Sequence, residues 1–408
     1  MTFPVEQADC CRIVRSLALP VARVSVMSAE LLQPRELPEE RRRIAAEAVA
    51  GFFGLDDEEA FALAKPATYE QWAEHICRGS VGQGRTNIVF CTSGSSGPPV
   101  SHSFTAQELT EEAQSLAPFF ADTKRVVSVM PVHHIFGFAF AVMLPRILGI
   151  EVVDRHPLPS EDFFRALRPG DLILAFPVFW KSVLDMCSGQ RPPLLPPEIR
   201  GVTSGAPCPP EVIEGLLAAR PDGAQPLCAG MTEIYGATEF GAVGIRRECR
   251  GIYSLLPHWR RVALPGPEGG EEWAIRREHG KPLPLPDHLA WRDERHFEPR
   301  QRKDKAVQVA GINVFPEQVA EVLRGHPLVA DCVVRLMRQE EGSRLKAFVV
   351  PRRDTIAATR LMRELRRLTA GLEPAARPKS IRFGKRLPRT ATGKAADWDI
   401  NDGDAENA

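Results

Sequence analysis

Apolar positions recur three and four residues apart through PEERRRIAAEAVAGFF (Pro38–Phe53), the spacing of one helix face. Pro38 suits a first helical turn and Gly54 a stop. Residues 1–80 as a whole read as mainly helical. From about residue 86 the period changes. Short apolar runs (NIVFCT, VVSVMP, EVVD, DLILAF) alternate with helical stretches such as TAQELTEEAQSLAPFF and PSEDFFRALR. That alternation predicts a layered α/β domain. Turn-rich segments at Pro192–Pro197 and Pro265–Gly270 read as surface loops. The last hundred residues carry another pattern: VQVAGINVF, a helix PEQVAEVLRG started by Pro316, VADCVVRLM, LKAFVVP, a charged helix near Thr359–Gly371, and SIRFG. They predict a small α+β domain, joined near Arg302–Lys305. The expected fold class is therefore α/β, with a large N-terminal domain over residues 1–302 and a small C-terminal domain over 303–408. The closing NDGDAENA reads as a disordered tail.

Composition narrows the function classes. Of 408 residues, 44% are hydrophobic and 25% charged, as in ordinary soluble domains. Lysine plus arginine and aspartate plus glutamate number 52 each, so the net charge is zero. Nothing in that balance favours nucleic acid or an acidic membrane as partner. The nine cysteines form no CxxC pair, which argues against a zinc ribbon or thioredoxin-like site, and their scatter through apolar segments suits reduced, buried thiols. The first fifteen residues include Glu6 and Asp9 and lack a signal pattern. The longest apolar stretch, Phe136–Pro145, is about half a membrane span. A soluble, cytoplasmic protein is the expectation.

The candidate chemistry begins at CTSGSSGPP (Cys91–Pro99), which follows an apolar run and leads toward a helix. Glycines let successive N–H groups point into one concavity, and the hydroxyls of Thr92, Ser93, Ser95 and Ser96 add donors suited to phosphate oxygens. By the loop rules alone such a cluster also reads as a plain turn. The Walker pattern is absent. TSGSSGPP resembles the phosphate loop of the adenylate-forming (AMP-binding) superfamily, which includes acyl- and aryl-CoA ligases, luciferases and peptide-synthetase adenylation domains. The resemblance assigns Thr92, Ser93, Gly94, Ser95, Ser96 and Gly97 to ATP phosphates. Where the family usually has lysine, this chain has Val100.

Further segments resemble the same family in its order. PVHHIFGF (Pro131–Phe138) resembles the segment bordering the acyl pocket, with His134 as the gating histidine and Gly137 following it. Amino-acid-activating relatives carry an aspartate nearby; none stands between Val132 and Pro145, which disfavours an amino-acid substrate. TSGAP (Thr203–Pro207) and YGATEFG (Tyr235–Gly241) are similar to the adenine-binding strand and nucleotide signature. The match implies that Gly205, Ala206, Tyr235 and Gly236 bind the nucleotide, that Thr238 bonds the α-phosphate and that Glu239 holds Mg²⁺. In LPDHLAW, Asp287 stands where the family grips the ribose hydroxyls, although Leu285-Pro286 replace the usual Thr-Gly. QRKDKAVQVAGINVFPEQ resembles the family hinge, with Gln301 in place of glycine. Arg302 then contacts ribose, Asp304 is the hinge, and Gly311 lies on the phosphopantetheine channel. LPRTATGK (Leu387–Lys394) implies that Lys394 is the catalytic lysine.

The resemblance spans about residues 85–398, with a front shorter than typical members carry and a C-terminal domain that is mobile in the family. It implies a two-step reaction. A carboxylic acid, aryl or fatty, attacks Mg-ATP to give acyl-AMP, and the acyl group then passes to the thiol of CoA or of an acyl carrier protein's pantetheine. Phe136, Phe138, Phe140 and Val178–Trp180 read equally as acyl-pocket wall or as ordinary core. The competing class is a catalytically weak nucleotide-binding or regulatory relative, which Val100 and Gln301 favour and intact Thr238, Glu239, Asp287, Arg302 and Lys394 oppose.

Overall fold

The computed structural model describes residues 5–22, 33–82, 87–91, 100–188, 195–218, 226–247, 251–265, 271–278, 280–303, 306–310, 312–338, 340–352, 358–388 and 396–400. The described residues fall into two compact units. One runs through residue 285 and resumes over 289–299; the other holds 286–288 and everything from residue 300.

Among the described residues the first unit begins with four α-helices: α1 (Gln7–Ala22), α2 (Glu39–Phe53), α3 (Asp57–Leu63) and α4 (Tyr69–Gly82). Pro38 caps α2, Glu39 and Glu40 stand in its positive first turn, and Gly54 ends it at φ 62°. A hairpin follows, β1 (Asn87–Cys91) against β2 (Ser101–Thr105), antiparallel with Cys91 opposite Ser101. The glycine-rich segment therefore leads into a strand, where its sequence suggested a helix. Helix α5 (Ala106–Leu116) starts only at Thr105, whose hydroxyl accepts from the Glu108 N–H while Glu108 accepts from the Thr105 N–H.

The remainder of the unit is built on a large sheet. Its strands are β3 (Arg125–Ser128), β4 (Glu151–Asp154), β5 (Asp171–Ala175), β6 (Arg200–Thr203), β7 (Gly230–Ala237), β8 (Gly241–Arg246) and β9 (Tyr253–Leu255). Between them lie α6 (Ile135–Phe138), continuing through a π turn (Ala139–Met143) into α7 (Leu144–Leu148), then α8 (Glu161–Arg165), α9 (Pro177–Cys187) and α10 (Pro210–Leu217). Strands β10 (Arg260–Pro265), β11 (Glu271–Arg276) and β12 (Leu283–Pro284) form a small antiparallel sheet. Strands β13 (Asp287–Trp291) and β14 (His296–Arg302) complete the nine-stranded order β13-β14-β9-β8-β7-β6-β5-β3-β4. From β4 to β7 neighbouring strands run parallel; from β7 to β9 they alternate.

Strand β5, DLILA, is buried throughout, as a parallel strand covered on both faces requires. Its alternate residues enter different cores. Leu172 and Leu174 join α1, α2, α4 and the 135–148 helices, whereas Ile173 and Ala175 join α8, α9 and α10. At the start of the strands Asp171 takes both arms of Arg125, at 2.9 and 2.6 Å, with both side chains buried. Phe138, Phe140, Phe179 and Trp180 are buried within these cores, Phe136 packs against the first, and Val178 is exposed. Four of those six candidate pocket residues are thus core.

Within the second unit, β15 (Val307–Val309) and β16 (Ile312–Val314) form a hairpin. Helix α11 (Pro316–Arg324), which Pro316 opens, packs with α12 (Ala358–Thr369) over β17 (Val329–Leu336), β18 (Leu345–Pro351) and β19 (Ser380–Phe383). Lys346 on β18 is fully buried, and its ammonium reaches Glu341 (2.7 Å), Asp397 (3.1 Å) and the Trp398 carbonyl (2.6 Å). Such a charge is tolerable in the interior only because it is paired and hydrogen-bonded. Among the described residues no helix is long and apolar enough to cross a membrane.

Candidate active site

Open parallel sheets bind ligands beyond the carboxyl ends of their strands. Here that edge carries His133–His134 after β3, Phe176 after β5, Ser204–Ala206 after β6 and Tyr235–Gly236 at the end of β7. The register Thr203↔Glu233 sets the loop that starts after β6, with Gly205 two residues on, beside the last residues of β7. Ser204 Oγ donates to the Ile234 carbonyl (2.9 Å) and pins the end of β6 to β7. Gly205 has φ +84°, and a Cβ there would lie 2.9 Å from Phe176 Cε1. The bare backbone of Gly205 and the Tyr235 ring, which packs edge-on against Phe297 (centroids 5.4 Å), thus occupy neighbouring strand ends.

Thr238 and Glu239 are the two central residues of a tight turn from Ala237 to Phe240, closed by Phe240 N–H to the Ala237 carbonyl (3.1 Å). The turn joins β7 to β8, and a register shift at Tyr235/Gly236 kinks the pair beside it. Gly236 permits the kink, since a Cβ there would sit 2.2 Å from the Gly241 carbonyl oxygen. Below the turn, Arg246 on β8 bonds Glu233 on β7 (2.6 Å), and Glu233 accepts the Cys208 N–H (3.0 Å). Both Thr238 and Glu239 are half-buried.

His134 is the N-cap of α6, not a residue inside an apolar helix. Its N–H donates to the Pro131 carbonyl (3.1 Å), and Gly137 lets that carbonyl approach, since a Cβ would lie 2.2 Å from it. The His133 and His134 rings are 4.6 Å apart, with Ser16 of α1 at 2.8 Å from His133 Nδ1. Burial, then the neighbouring imidazole, pushes His133 down to about 3; burial also lowers the more exposed His134. Both rings are neutral near pH 7.

Asp287 opens β13 and Arg302 closes β14. Lys303 N–H donates to the Pro286 carbonyl (2.8 Å), so the two half-buried side chains come from adjacent positions on paired strands. Thr92, Ser93, Gly94, Ser95, Ser96, Gly97, Asp304, Gly311 and Lys394 lie outside the described residues. The segment with Lys394 is bracketed by Ala396 N–H to the Pro388 carbonyl (3.0 Å). Among the described residues no group of three His, Cys, Asp or Glu side chains is poised for a metal. A lone half-buried carboxylate, Glu239, suits a cation that takes most of its ligands from phosphate and water, as magnesium does.

The sequence reading missed Glu112 of α5, which is 1% exposed and accepts the Ala242 N–H beneath the signature turn (2.9 Å). The signal was present: a glutamate on the helix face otherwise formed by Leu109, Ala113 and Leu116.

The AMP-binding enzyme family pattern matches residues 22–288, and the pattern of the AMP-binding enzyme C-terminal domain matches 318–394. The chain belongs to the AMP-binding enzyme family. Within it the chain is an acid–thiol ligase, as its relatives indicate. A 4-coumarate–CoA ligase of Halorhodospira halophila is 37% identical over 76% of this chain and 75% of its own. One of Rhodobacter capsulatus is 39% identical over the same shares. The o-succinylbenzoate CoA synthetase of Bacillus subtilis shares the fold at TM-score 0.61 and 18% identity, across 96% of this chain and 92% of that one.

Proposed function

We propose that this enzyme activates an aryl carboxylic acid, of the aryl-propenoic type that its named relatives use, and transfers it to coenzyme A. The observation that carries the reading is the Ala237–Phe240 turn. It presents Thr238 and Glu239 at the sheet edge where Gly205 and Tyr235 leave a bare backbone beside an aromatic ring. A flat base suits a bare backbone beside an aromatic ring, with Thr238 and Glu239 reading its phosphates; the hydroxyls and glycines of Thr92–Gly97, outside the described residues, are further phosphate ligands by their resemblance to the family's loop. Asp287 and Arg302 hold the ribose.

A carboxylate oxygen of the acid attacks the α-phosphorus of ATP; the bond to the bridging oxygen breaks and pyrophosphate leaves. Thr238 bonds the α-phosphate, and Lys394 stabilises the charge that develops between acyl carboxylate and phosphate. Magnesium held by Glu239 would neutralise phosphate charge. In the second step the CoA thiol, giving up its proton to solvent, attacks the acyl carbon; the bond from that carbon to the phosphate oxygen breaks and AMP leaves. The C-terminal domain, 303–408, turns about Asp304 between the steps, exchanging Lys394 for the pantetheine channel at Gly311. His134, neutral at working pH, gates the acyl pocket. ATP and CoA are both available in the cytosol, which is why we read the enzyme as cytoplasmic. A carrier-protein pantetheine would offer the same thiol chemistry, but the relatives above are named for CoA.

The test is pyrophosphate release from Mg-ATP across cinnamates, benzoates and fatty acids, with and without CoA. Release specific to cinnamates, stimulated by CoA and reduced about 10²- to 10³-fold in Lys394→Ala, is expected. ATP binding without acid-dependent release would instead identify a regulatory relative.

A further inference from the structure

Behind the signature turn lies a buried charged cluster that takes no part in the mechanism above. Glu112 Oε1 accepts the Ala242 N–H at 2.9 Å, and Trp259 Nε1 donates to the Ala242 carbonyl at 2.8 Å. Side chains from two other elements therefore hold both polar groups of one residue, three positions beyond Glu239. Gly241 between them has φ +80°, and a Cβ there would lie 2.1 Å from Glu112 Oε2, so carboxylate and backbone are in direct apposition. Arg277, directly after β11, is stacked over Trp259 at 4.6 Å from its ring centre and places Nη2 4.0 Å from Glu112 Oε2. Arg277 Nη1 is fixed by the Glu108 carbonyl (3.1 Å) and Glu111 (3.5 Å). Oε2 and Nη2 face each other, each with no hydrogen-bond partner among the described residues.

A buried carboxylate is costly unless its interactions repay it, and an apolar residue would fill this helix face at no such cost. The geometry points to a positioning role: we propose that Glu112, backed by Arg277 and Trp259, holds the Thr238–Glu239 turn in its nucleotide-binding shape. This rests on the reading of that turn as the Mg-ATP site. Among the described residues the turn is otherwise held by its own closing bond and by the Ala237↔Gly241 pairing of β7 with β8, and that strand pair is kinked beside it. Burial raises Glu112 to about 7, against the lowering effects of Ala242 N–H and Arg277. Besides Arg277 and Glu111, the titratable group packed nearby is His258, which burial holds down at about 3 and so neutral. Protonating Oε2 would add a hydroxyl facing the Arg277 guanidinium, which has no acceptor to offer it.

The experiment compares Glu112→Leu, Glu112→Gln and Trp259→Phe with the parent enzyme. The readouts are ATP affinity, ATP KM from pH 6 to 8, the CoA step from synthetic acyl-adenylate, and melting temperature. Removing an acceptor from a buried N–H should raise ATP KM about tenfold or more in Glu112→Leu. Glu112→Gln keeps an amide oxygen for Ala242 and should stay within about threefold of the parent, with the pH dependence near 7 removed. Trp259→Phe should weaken ATP binding in the same direction, so the idea stays testable if Glu112→Leu does not fold. The CoA step should hold its rate throughout. Parent ATP affinity in Glu112→Leu or Trp259→Phe overturns the proposal, as does a Gln variant as impaired as the Leu one. A Glu239→Gln control with parent ATP dependence would overturn the reading of the turn itself, whatever Glu112 does.

Discussion

Replacing Gly205 with alanine tests the candidate nucleotide cleft at its most constrained backbone position. At φ +84° an L-residue costs about 1–2 kcal/mol. The new methyl would sit 2.9 and 3.1 Å from two carbons of Phe176, inside the ~3.5–4.0 Å at which carbon atoms pack favourably. Overpacking of this kind adds about 1–3 kcal/mol, and the half-buried Phe176 ring can yield, which favours the lower figure. The sum is about 2–3 kcal/mol. At roughly 2–4 °C per kcal/mol for a domain of this size, melting should fall by about 4–12 °C. Because a displaced Phe176 or a shifted β6 end intrudes where the base is read, ATP KM should also rise, by about tenfold. The companion variant is Gly51→Ala in α2, where a Cβ would meet nothing within 4 Å. That change should stabilise by about 0.5–1 kcal/mol and leave ATP KM alone. A Gly205→Ala enzyme with parent melting temperature and parent ATP KM would refute the placement of this backbone in the cleft.

Two further outcomes concern charged groups that sequence patterns do not weigh. Lys346→Met should release Asp397 and Trp398 from β18, seen as faster trypsin cleavage near the C-terminus, and should slow adenylation more than the CoA step, because Lys394 lies three residues before Asp397; equal cleavage rates in variant and parent would contradict it. Asp171→Ala leaves the Arg125 guanidinium buried without its carboxylate and should cost about 3–5 kcal/mol in urea unfolding, whereas a loss below about 1 kcal/mol would mean that water reaches Arg125.

Local features were the legible ones. Pro38, Gly54 and the apolar period of α2 bounded a helix because capping and periodicity act within a few residues. DLILAF reads as one of the short apolar strands, and it is a buried parallel one; the turn within YGATEFG is not legible in the sequence, which offers that segment only by its resemblance to a nucleotide signature. What escaped depends on distant pairing. Strand β2 is short and polar, SHSFT, and is a strand only because β1 lies beside it. Phe138, Phe140 and Trp180 are core because helices stacked over the sheet cover them, which no local spacing reveals. Cys10 and Cys77 are 67 residues apart in the chain, yet their sulfurs stand 3.1 Å apart where α1 meets α4. Glu112 finds its partner 130 residues later. The placement of Asp287 and Arg302 on neighbouring strands follows from the hairpin that joins β13 to β14.

The way α1 is fastened bears on how the chain is made. Arg12 donates to both oxygens of Asp154, 142 residues downstream, and to the Ala141 carbonyl. The same core also takes Tyr253, Trp259 and Phe297. At a synthesis rate of about 5–20 residues per second, Asp154 is added about 7–28 s after Arg12. Ile13, Val14 and Ala18 can pack against α2 and α4 once residue 82 has been made, but the Arg12 anchor and the rest of that core cannot form in that interval. Nascent chains of this enzyme should therefore engage holding chaperones early and let go only once β4 has emerged.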